Sequence, residues 1–258
     1  MTDRPFDRAA DYYDATRDLP EPLASDGLDA ILRYVRPRPE ALILEVGAGT
    51  GRITSPLLQR GANVVGVDLS AAMLRRLRAK QPAARLAMAN AVQLPFAAGQ
   101  FDGLMTIHVL HLVGRWREAL REFRRVLRPG AAYVNSWHWH GDDSVDQALR
   151  NYWRSRVEAH GAEWRRPGIQ SREELVNEIR DMGAQVEEVL VTRYHTSLTP
   201  VSMLDSIASR VYSDTWDIPD DIFETTIAEL RAWAALTYGD LTVPRREEHR
   251  FLLDIARF

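Results

Sequence analysis

A buried strand that leads directly into a glycine-rich loop constrains this chain more than any other feature. Residues 41–46 (ALILEV) form a continuous apolar run, which is typical of a parallel strand covered on both faces. Gly47, Gly49 and Gly51 follow, and glycine permits positive φ angles and a close approach of the backbone to a ligand. In an open α/β sheet, ligands bind beyond the carboxyl ends of the strands. The loop therefore predicts a ligand-binding site at that edge.

Short apolar runs alternate with helical patterns up to residue 136, which indicates βαβ units. Ser70 is predicted to cap the helix that follows the second strand. After the first strand, further strands are predicted at 63–67, 84–89, 101–107 and 131–136, and two later ones at 186–196 and 251–258. We interpret the last two as an antiparallel hairpin of the same sheet, split by a helical insertion. The expected fold is an α/β, doubly wound, seven-stranded, mostly parallel sheet of the Rossmann-like type with helical lid insertions.

Helical patterns dominate the second half of the chain, at about 145–159, 173–182, 202–212 and 220–238. We expect N-terminal cap helices at 1–40, a ligand-binding core at 41–140, and lid insertions with the last two strands at 141–258. The insertions themselves, at 141–170 and 198–247, are expected to cover the carboxyl edge of the sheet.

The composition excludes several kinds of chemistry. Cysteine is absent, which rules out disulfides, thiolate nucleophiles, cysteine-bound zinc and iron–sulfur clusters. Lys80 is the only lysine and its surroundings predict an exposed position, so a Schiff base is not expected. The net charge of -3 provides no general attraction to nucleic acid. No apolar run approaches the roughly 18 residues of a membrane span, and the N-terminus is polar, so the cytoplasm is the expected compartment.

The glycine spacing separates two families of cofactor sites. A nicotinamide site would have G-x-G-x-x-G, but the third position is Arg52 or Thr54, depending on the start. The segment 45–51 (EVGAGTG) instead resembles the E/D-x-G-x-G-x-G loop of class I S-adenosylmethionine-dependent methyltransferases. Further landmarks of that family follow in order: 65–70 (VGVDLS), 90–96 (NAVQLPF), 101–102 (FD) and 128–130 (RPG). The resemblance covers roughly residues 40–136 and is strongest to the branch of ubiquinone and menaquinone C-methyltransferases, methyltransferase type 11.

The resemblance implies S-adenosylmethionine as the cofactor and a set of residues that bind it. Asp68 would bind both ribose hydroxyls, and it follows Gly47 at close to the spacing of about 20 residues expected for a ribose-binding acid. Asn90 would lie beside the adenine, where the branch usually has aspartate; an amide can still hydrogen-bond there. Tyr13 and Arg17 would reach the methionine moiety, or else belong to a simple surface helix. The other residues that match the family's cofactor site are Glu45, Gly47, Ala48, Gly49, Gly51, Leu69, Met73, Ala91, Ile107 and His108.

The acceptor is predicted by elimination to be a small molecule. Enzymes that methylate bases of nucleic acids resemble D/N-P-P-Y/F after the fourth strand, where this chain has residues 108–111 (HVLH). The glutamate pair of protein arginine methyltransferases and the aspartate of metal-dependent catechol-type enzymes are also missing there. The atom that would receive the methyl group stays open, as does the oligomeric state.

His111 and His108 are the candidates for a general base, because a neutral histidine can take a proton near pH 7. A turn after Ile107 that buries Val109 and Leu110 would let one of them face the cleft. Alternatively, His111 only packs at the start of the next helix, and His108 lines the cofactor through its backbone.

His138 and His140 alternate with tryptophans at the end of the fifth strand and would share a face if that strand continues. A metal ion needs a third ligand and none is evident, so rim packing and substrate contact are expected and no metal site is predicted. The aromatic residues of the later helices are interpreted either as the lid's own core or as an aromatic acceptor pocket.

The predicted function is transfer of a methyl group from S-adenosylmethionine to a small-molecule acceptor. The alternative is a protein of the same fold that binds the cofactor, or its demethylated product, without turnover. A nicotinamide-dependent oxidoreductase is disfavoured by the glycine spacing.

Overall fold

Strands and helices alternate along the computed structural model, which describes residues 5–17, 19–141, 143–164 and 167–258. The strands are β1 (Leu42–Val46), β2 (Asn63–Asp68), β3 (Arg85–Met88), β4 (Phe101–Thr106), β5 (Leu127–His140), β6 (Gln185–Leu198) and β7 (Arg245–Arg257). The α-helices are α1 (Tyr13–Thr16), α2 (Leu28–Val35), α3 (Thr54–Gln59), α4 (Ala71–Lys80), α5 (Trp116–Val126), α6 (Val145–Ala159), α7 (Arg172–Asp181), α8 (Pro200–Ala208) and α9 (Asp220–Tyr238). A π-helical stretch, Leu23–Gly27, leads into α2, and short 3-10 helices lie at Pro5–Ala9, Leu110–Leu112 and Ser213–Thr215.

The seven strands form one sheet in the order β3-β2-β1-β4-β5-β7-β6. Strand β1 pairs in parallel with both β2 and β4, and β2–β3 and β4–β5 are parallel as well. Hydrogen bonds from Gly130 to Phe258 and from Gly141 to Glu248 show that β7 runs antiparallel to β5. The predicted fold, including the placement of the last two strands in the sheet, is confirmed. The order reverses between β1 and β4, and such a switch point is where open α/β sheets bind ligands.

Apolar faces of the predicted kind hold the sheet and its helices together. Trp116, Leu120 and Phe123 are buried on one side of α5, as their helical spacing predicts, and they belong to the same core as Leu44 and Leu104 of the central strands. Full burial of a side chain of this size contributes about 1.5–3 kcal/mol. The helix therefore fixes where β5 begins and where the polar residues at the strand ends lie.

Strand β5 is longer than the predicted 131–136. The prediction was too short because residues typical of a turn lie inside the strand. Pro129 and Gly130 are typical turn residues, which is why the predicted strand began after them, and Gly130 has a positive φ of 75°. The pairing nevertheless starts at Leu127, opposite Phe101, and resumes after a register shift at Ala132. Because an irregularity of this kind can be accommodated within a paired strand, the turn residues interrupt the ladder without ending it. The strand also continues through His140, which fulfils the condition for its two histidines to share a face.

The sequence prediction missed the start of β7 because the residues there are charged, as in an exposed loop. The prediction placed this strand at 251–258, whereas it begins at Arg245 with a run of charged residues. Glu247 and His249 are buried within that run, and their neighbours are less so. The alternation has the period of a strand, but its buried positions are polar, which is why a search for apolar alternation does not find it.

The chain divides into two compact units. The first comprises Met1–His138, Arg166–Thr192 and Phe251–Phe258, and its core includes the central strands. The second comprises Trp139–Arg165 and Arg193–Arg250, and it packs α6, α8 and α9 around their own apolar core. Trp153 is fully buried in that core and donates to Thr226 Oγ1 at 3.2 Å. Among the described helices, none has both the length and the apolar character that crossing a bilayer requires.

Candidate active site

The glycine loop between β1 and α3 adopts a conformation that requires glycine at two of its positions. Gly47 and Gly51 have φ angles of 82° and 87°. A Cβ at Gly47 would lie 2.4 Å from Val109 Cγ2, and one at Gly51 would lie 2.2 Å from Leu77 Cδ1. Gly49 differs, because a Cβ there would meet no heavy atom of the described residues within 4 Å. The outer glycines therefore serve close packing, and the middle one borders open space.

Backbone amides of the loop donate hydrogen bonds to β2. Gly47 N and Ala48 N both donate to Val67 O, at 2.8 and 3.0 Å. Gly51 N donates to Ala48 O at 2.9 Å, which closes the turn. The hydrogen bonding of the sheet thus continues past the end of β1, and the loop is held at the switch point between β1 and β4.

Asp68 joins the glycine loop to the start of α4. Its Oδ2 accepts from Gly49 N and its Oδ1 accepts from Ser70 N, each at 2.8 Å. Burial raises the pKa of Asp68 above its usual range, although the backbone hydrogen bonds oppose that shift. Ser70 also accepts from Met73 N, so the predicted N-cap is confirmed. Each carboxylate oxygen keeps acceptor capacity, since an ionised carboxylate has about four lone-pair sites.

Glu45 lies in the interior, unlike the other polar residues of the predicted site. Its side chain is 2% exposed and accepts a hydrogen bond from Thr54 Oγ1 at the start of α3. Burial raises the pKa of Glu45 to about 8, and the Thr54 hydrogen bond opposes the shift. The geometry gives Glu45 a position that connects β1 to α3 across the base of the loop.

The residues predicted to lie beside the adenine follow β2 and β3. Leu69 is 38% exposed, whereas Met73 is 2% exposed and belongs to the interior face of α4. Asn90 is exposed, and its Oδ1 accepts from Val92 N at 3.2 Å. Its Nδ2 makes no hydrogen bond within the described part of the chain. Ala91, next to it, is half-buried.

The ends of β2 and β3 are tied together, which places Asn90 near the ribose-binding candidate. Ala89 N donates to Asp68 O at 3.0 Å. Asn90 is the next residue along the chain, so the structure brings the predicted adenine segment and the predicted ribose acid to the same strand ends.

The segment after β4 holds a histidine in an unusual conformation. Ile107 is buried, and His108 has a φ of 55°, in the left-handed region that non-glycine residues seldom adopt. His108 N donates to Ser136 Oγ at 3.3 Å. The imidazole of His108 lies beside that of His138 at the end of β5, with ring centroids 6.1 Å apart. Strain of this kind costs about 1–3 kcal/mol, persists where the surrounding structure imposes it, and is concentrated at functional sites.

A buried polar network supports the ends of β4 and β5. Thr106 Oγ1 lies 2.7 Å from Tyr133 OH and donates to Asn135 Oδ1 at 2.9 Å. Asn135 in turn donates from Nδ2 to Ser136 O at 3.2 Å. Buried networks whose members are satisfied are rigid, so this network holds the ends of β4 and β5 in one arrangement.

His111 lies in the short 3-10 helix Leu110–Leu112, where its side chain is half-buried. Its backbone carbonyl accepts from Gly168 N at 3.0 Å. Leu110 is buried, and Val109 is the residue that excludes any side chain at Gly47. The turn after Ile107 thus buries Leu110 and leaves Val109 half-buried, and it brings His108 next to the imidazole of His138.

The N-terminal segment contacts the glycine loop. Arg17 Cζ lies 5.9 Å from the ring centroid of Tyr13, and Arg17 O accepts from Arg52 Nη1 at 3.4 Å. Thr50, inside the loop, donates from Oγ1 to Asp14 Oδ1 at 2.6 Å. Both of the predicted N-terminal site residues therefore lie in a segment that touches the loop, and Asp14 is a contact that the sequence motifs did not indicate.

Two of the family landmarks, 101–102 and 128–130, are joined to each other at the ends of the strands that face away from the glycine loop. Asp102, at the start of β4, accepts hydrogen bonds from Arg128, from Arg38 at 2.6 Å and from Leu42 N at 2.8 Å. Burial acts to raise the pKa of Asp102, but these donors outweigh it and hold the pKa below its usual range. These landmarks therefore secure the sheet and do not contribute to the ligand-binding edge.

The doubly wound sheet, the glycine loop at its switch point and the carboxylate at the end of the second strand agree with the resemblance to class I methyltransferases. The protein-family model described as a methyltransferase domain matches residues 44–135. An uncharacterized methyltransferase of Mycobacterium tuberculosis is 30% identical over 210 residues, which are 81% of this chain and 78% of that protein. The chain belongs to this methyltransferase family, and the resemblance predicted from the motifs is confirmed.

Other similar proteins extend the comparison. Demethylmenaquinone methyltransferase of Beutenbergia cavernae is 34% identical over 50% of this chain and 54% of its own length. The structure of the YcgJ protein of Bacillus subtilis covers 89% of this chain and 97% of its own, with a TM-score of 0.59 and 17% identity. A phosphoethanolamine N-methyltransferase of Haemonchus contortus, solved with S-adenosyl-L-methionine, covers 99% of this chain and 58% of its own, with a TM-score of 0.55 and 16% identity. The structural likeness shows the shared fold.

Proposed function

We propose that this methyltransferase uses S-adenosylmethionine to methylate a small-molecule acceptor. One observation carries the proposal: Asp68 is held by the amides of Gly49 and Ser70 at the switch point, next to open space beside Gly49. A carboxylate in that position suits the hydroxyls of a ribose, because it is fixed by backbone donors and still has lone pairs to accept more.

The residues present fit the cofactor. Asp68 would accept from the ribose hydroxyls, the exposed side chain of Leu69 would offer apolar surface to the adenine, and Asn90 would offer its Nδ2 donor. Tyr13 and Arg17 would approach the methionine moiety from the N-terminal segment. When bound, S-adenosylmethionine supplies an activated methyl group, so the protein's task is to bind, orient and exclude water.

The acceptor side is proposed to lie at the ends of β4 and β5. His108 and His111 are the candidates for a residue that takes a proton from the acceptor, and the pairing of His108 with His138 favours His108. The names of similar proteins cover O-, N- and C-methyltransferases, so they do not narrow the acceptor atom.

Thermal denaturation tests the cofactor assignment. S-adenosylmethionine and S-adenosylhomocysteine should raise the melting temperature and NAD should not, because a native-state ligand stabilises by about RT ln(1 + [L]/Kd). The Asp68→Ala variant should lose most of the shift. A stabilisation by NAD that depended on Asp68 would overturn the proposal.

Turnover tests the alternative of binding without catalysis. The enzyme should transfer label from methyl-labelled S-adenosylmethionine to a small molecule in a pool of cytoplasmic metabolites. Binding of both cofactor forms with no labelled product from any pool would favour a cofactor-binding protein of the same fold.

A further inference from the structure

Three aspartates of the N-terminal segment each contact α4 or its cap, and their partners follow in the same order along the chain. The pairs are Asp7 with Ser70 Oγ, Asp11 with Arg76, and Asp14 with Lys80 Nζ at 2.6 Å. The segment therefore lies along α4 from its cap to its last residue. It is anchored at the cap that also holds Asp68 and, at the other end, at the only lysine of the chain.

The contact at Lys80 includes the glycine loop. Lys80 Nζ donates to Thr50 O at 3.0 Å as well as to Asp14, and Thr50 Oγ1 donates to Asp14 Oδ1 at 2.6 Å. Thr50 is buried between Gly49 and Gly51; its hydroxyl binds Asp14 of the N-terminal segment and its carbonyl binds Lys80 of α4. Three residues from three parts of the chain thus form a closed triangle of hydrogen bonds.

The carboxylate of this triangle is ionised at neutral pH. Partial burial acts to raise the pKa of Asp14, but the hydrogen bonds from Lys80 and Thr50 outweigh it and leave the pKa below its usual range. Lys80 also ends α4, where a cation interacts favourably with the helix dipole. An ammonium group has three donors on a compact head, which is how one residue serves a carboxylate and a carbonyl together.

We propose that Lys80 is a positioning residue that fastens the N-terminal segment to the glycine loop and so slows release of the cofactor. The segment carries Tyr13 and Arg17, and the loop borders the open space beside Gly49, so a ligand held between them leaves faster when the fastening is broken. The link to cofactor release rests on the proposed function. The fastening itself does not, because it is made by residues of this chain alone.

Hydrogen exchange of the ligand-free protein tests the fastening. The Lys80→Met variant should exchange amides of residues 5–17 faster than wild type, with its melting temperature nearly unchanged because both partners are half-exposed. The matched control is Arg78→Met, which removes a cation from the last turn of the same helix but contacts Pro82 O and not the segment. Lys80→Arg should restore much of the protection. Equal exchange of residues 5–17 in Lys80→Met and Arg78→Met would overturn the fastening.

Dissociation of S-adenosylhomocysteine, followed by stopped flow, tests the consequence. An exposed ion pair contributes at most about 1 kcal/mol, so the off-rate should rise roughly threefold in Lys80→Met. Asp14→Asn should give a similar increase, and the double variant should add little to either, since both remove the same contact. Unchanged off-rates together with faster exchange would overturn the link to release.

These two measurements also separate this inference from the proposed function. If wild-type protein bound neither S-adenosylmethionine nor its demethylated product, the proposed function would fail, while the exchange experiment would still decide whether Lys80 fastens the segment.

Discussion

The two sides of the switch point differ in whether the residues that hold them belong to a sequence motif. Beside β1 and β2, Asp68 accepts from the amides of Gly49 and Ser70, and all three residues belong to the motifs 45–51 and 65–70. Beside β4 and β5, His108 is set by Ser136 and lies against His138, which are distant in sequence. Both sides therefore join a backbone amide to a side-chain oxygen, but on the cofactor side both partners lie within the motifs 45–51 and 65–70. On the other side, Ser136 and His138 belong to no motif, so the sequence alone did not indicate that they contact His108.

The largest expected effect is on the β4 side and would sharpen this contrast. A general base contributes roughly 10²- to 10⁴-fold to rate. Replacing the base by glutamine should therefore lower kcat by that order while leaving the cofactor affinity unchanged. His108→Gln and His111→Gln are matched variants in one segment, and we expect the large loss in His108→Gln, with His111→Gln within about threefold of wild type.

Single-turnover rates and cofactor titrations of both variants make this measurement. A large loss in His111→Gln alone would reassign the base to the 3-10 helix. Losses below about threefold in both would place it elsewhere, with His138 and His140 next, or indicate an acceptor that needs no base.

The next effect is on the β2 side. Asp68→Ala should weaken S-adenosylhomocysteine binding by about 10- to 100-fold, because hydrogen bonds to a charged group contribute about 1.5–3 kcal/mol. The loss should appear in calorimetric Kd values. A matched control is Asp102→Ala, a buried carboxylate at the opposite strand ends that should reduce stability without reducing affinity in the folded protein. If both variants lost affinity equally, the contrast between the two strand ends would not hold.

A smaller effect concerns the charge at the base of the glycine loop. The pKa of Glu45 lies near 8 in the folded protein, against 4.5 ordinarily, so between these pH values the folded state holds a proton that the unfolded chain has released. Stability should therefore fall as pH rises through this window. Glu45→Gln stays neutral and should gain up to about 4 kcal/mol over wild type by pH 8, at about 1.4 kcal/mol for each unit of pKa difference.

Denaturant unfolding at pH 5 and pH 8 measures this difference. Glu40→Gln provides the control, because that side chain is 72% exposed and its replacement should leave the pH dependence unchanged. If the free energy of unfolding changed between pH 5 and pH 8 by the same amount in Glu45→Gln as in wild type, Glu45 would be ionised in the folded state.

The parts that the sequence predicted are those set by local rules. The glycine loop, the Ser70 cap and the buried face of α5 each depend on residues close in the chain, and the structure confirms them. The early start of β7 was missed because the buried positions of that segment are polar, namely Glu247 and His249, where a strand search expects apolar side chains.

Contacts between distant segments could not be predicted from spacing. The pairing of Asp14 with Lys80 joins residues that no motif relates. The neighbour of His140 in the second unit, His249 at 5.1 Å between ring centroids, comes from the part of β7 that apolar alternation did not reveal. The predicted cover formed by 141–170 and 198–247 stays a prediction.

The smallest effect concerns Asn90, where the chain departs from its family. Because Asn90 Oδ1 already accepts from Val92 N, the amide has its Nδ2 donor left to offer the adenine, whereas an aspartate would offer an acceptor. Asn90→Asp should exchange one adenine contact for another and keep the affinity for S-adenosylhomocysteine within about threefold. Asn90→Ala should lose the contact, at about 0.5–1.5 kcal/mol.

An analogue of S-adenosylhomocysteine whose adenine lacks the ring acceptor N1 distinguishes the two contacts. Wild type should bind this 1-deaza analogue several-fold more weakly than the parent compound, since a donor would lose its partner, and Asn90→Asp should bind the two compounds about equally. Gln93→Ala, which removes an exposed amide from the same turn, is the control and should not change the ratio. Equal binding of both compounds by wild type would mean that Asn90 contacts the adenine through its oxygen, as an aspartate does, and the departure from the family would then be chemically silent.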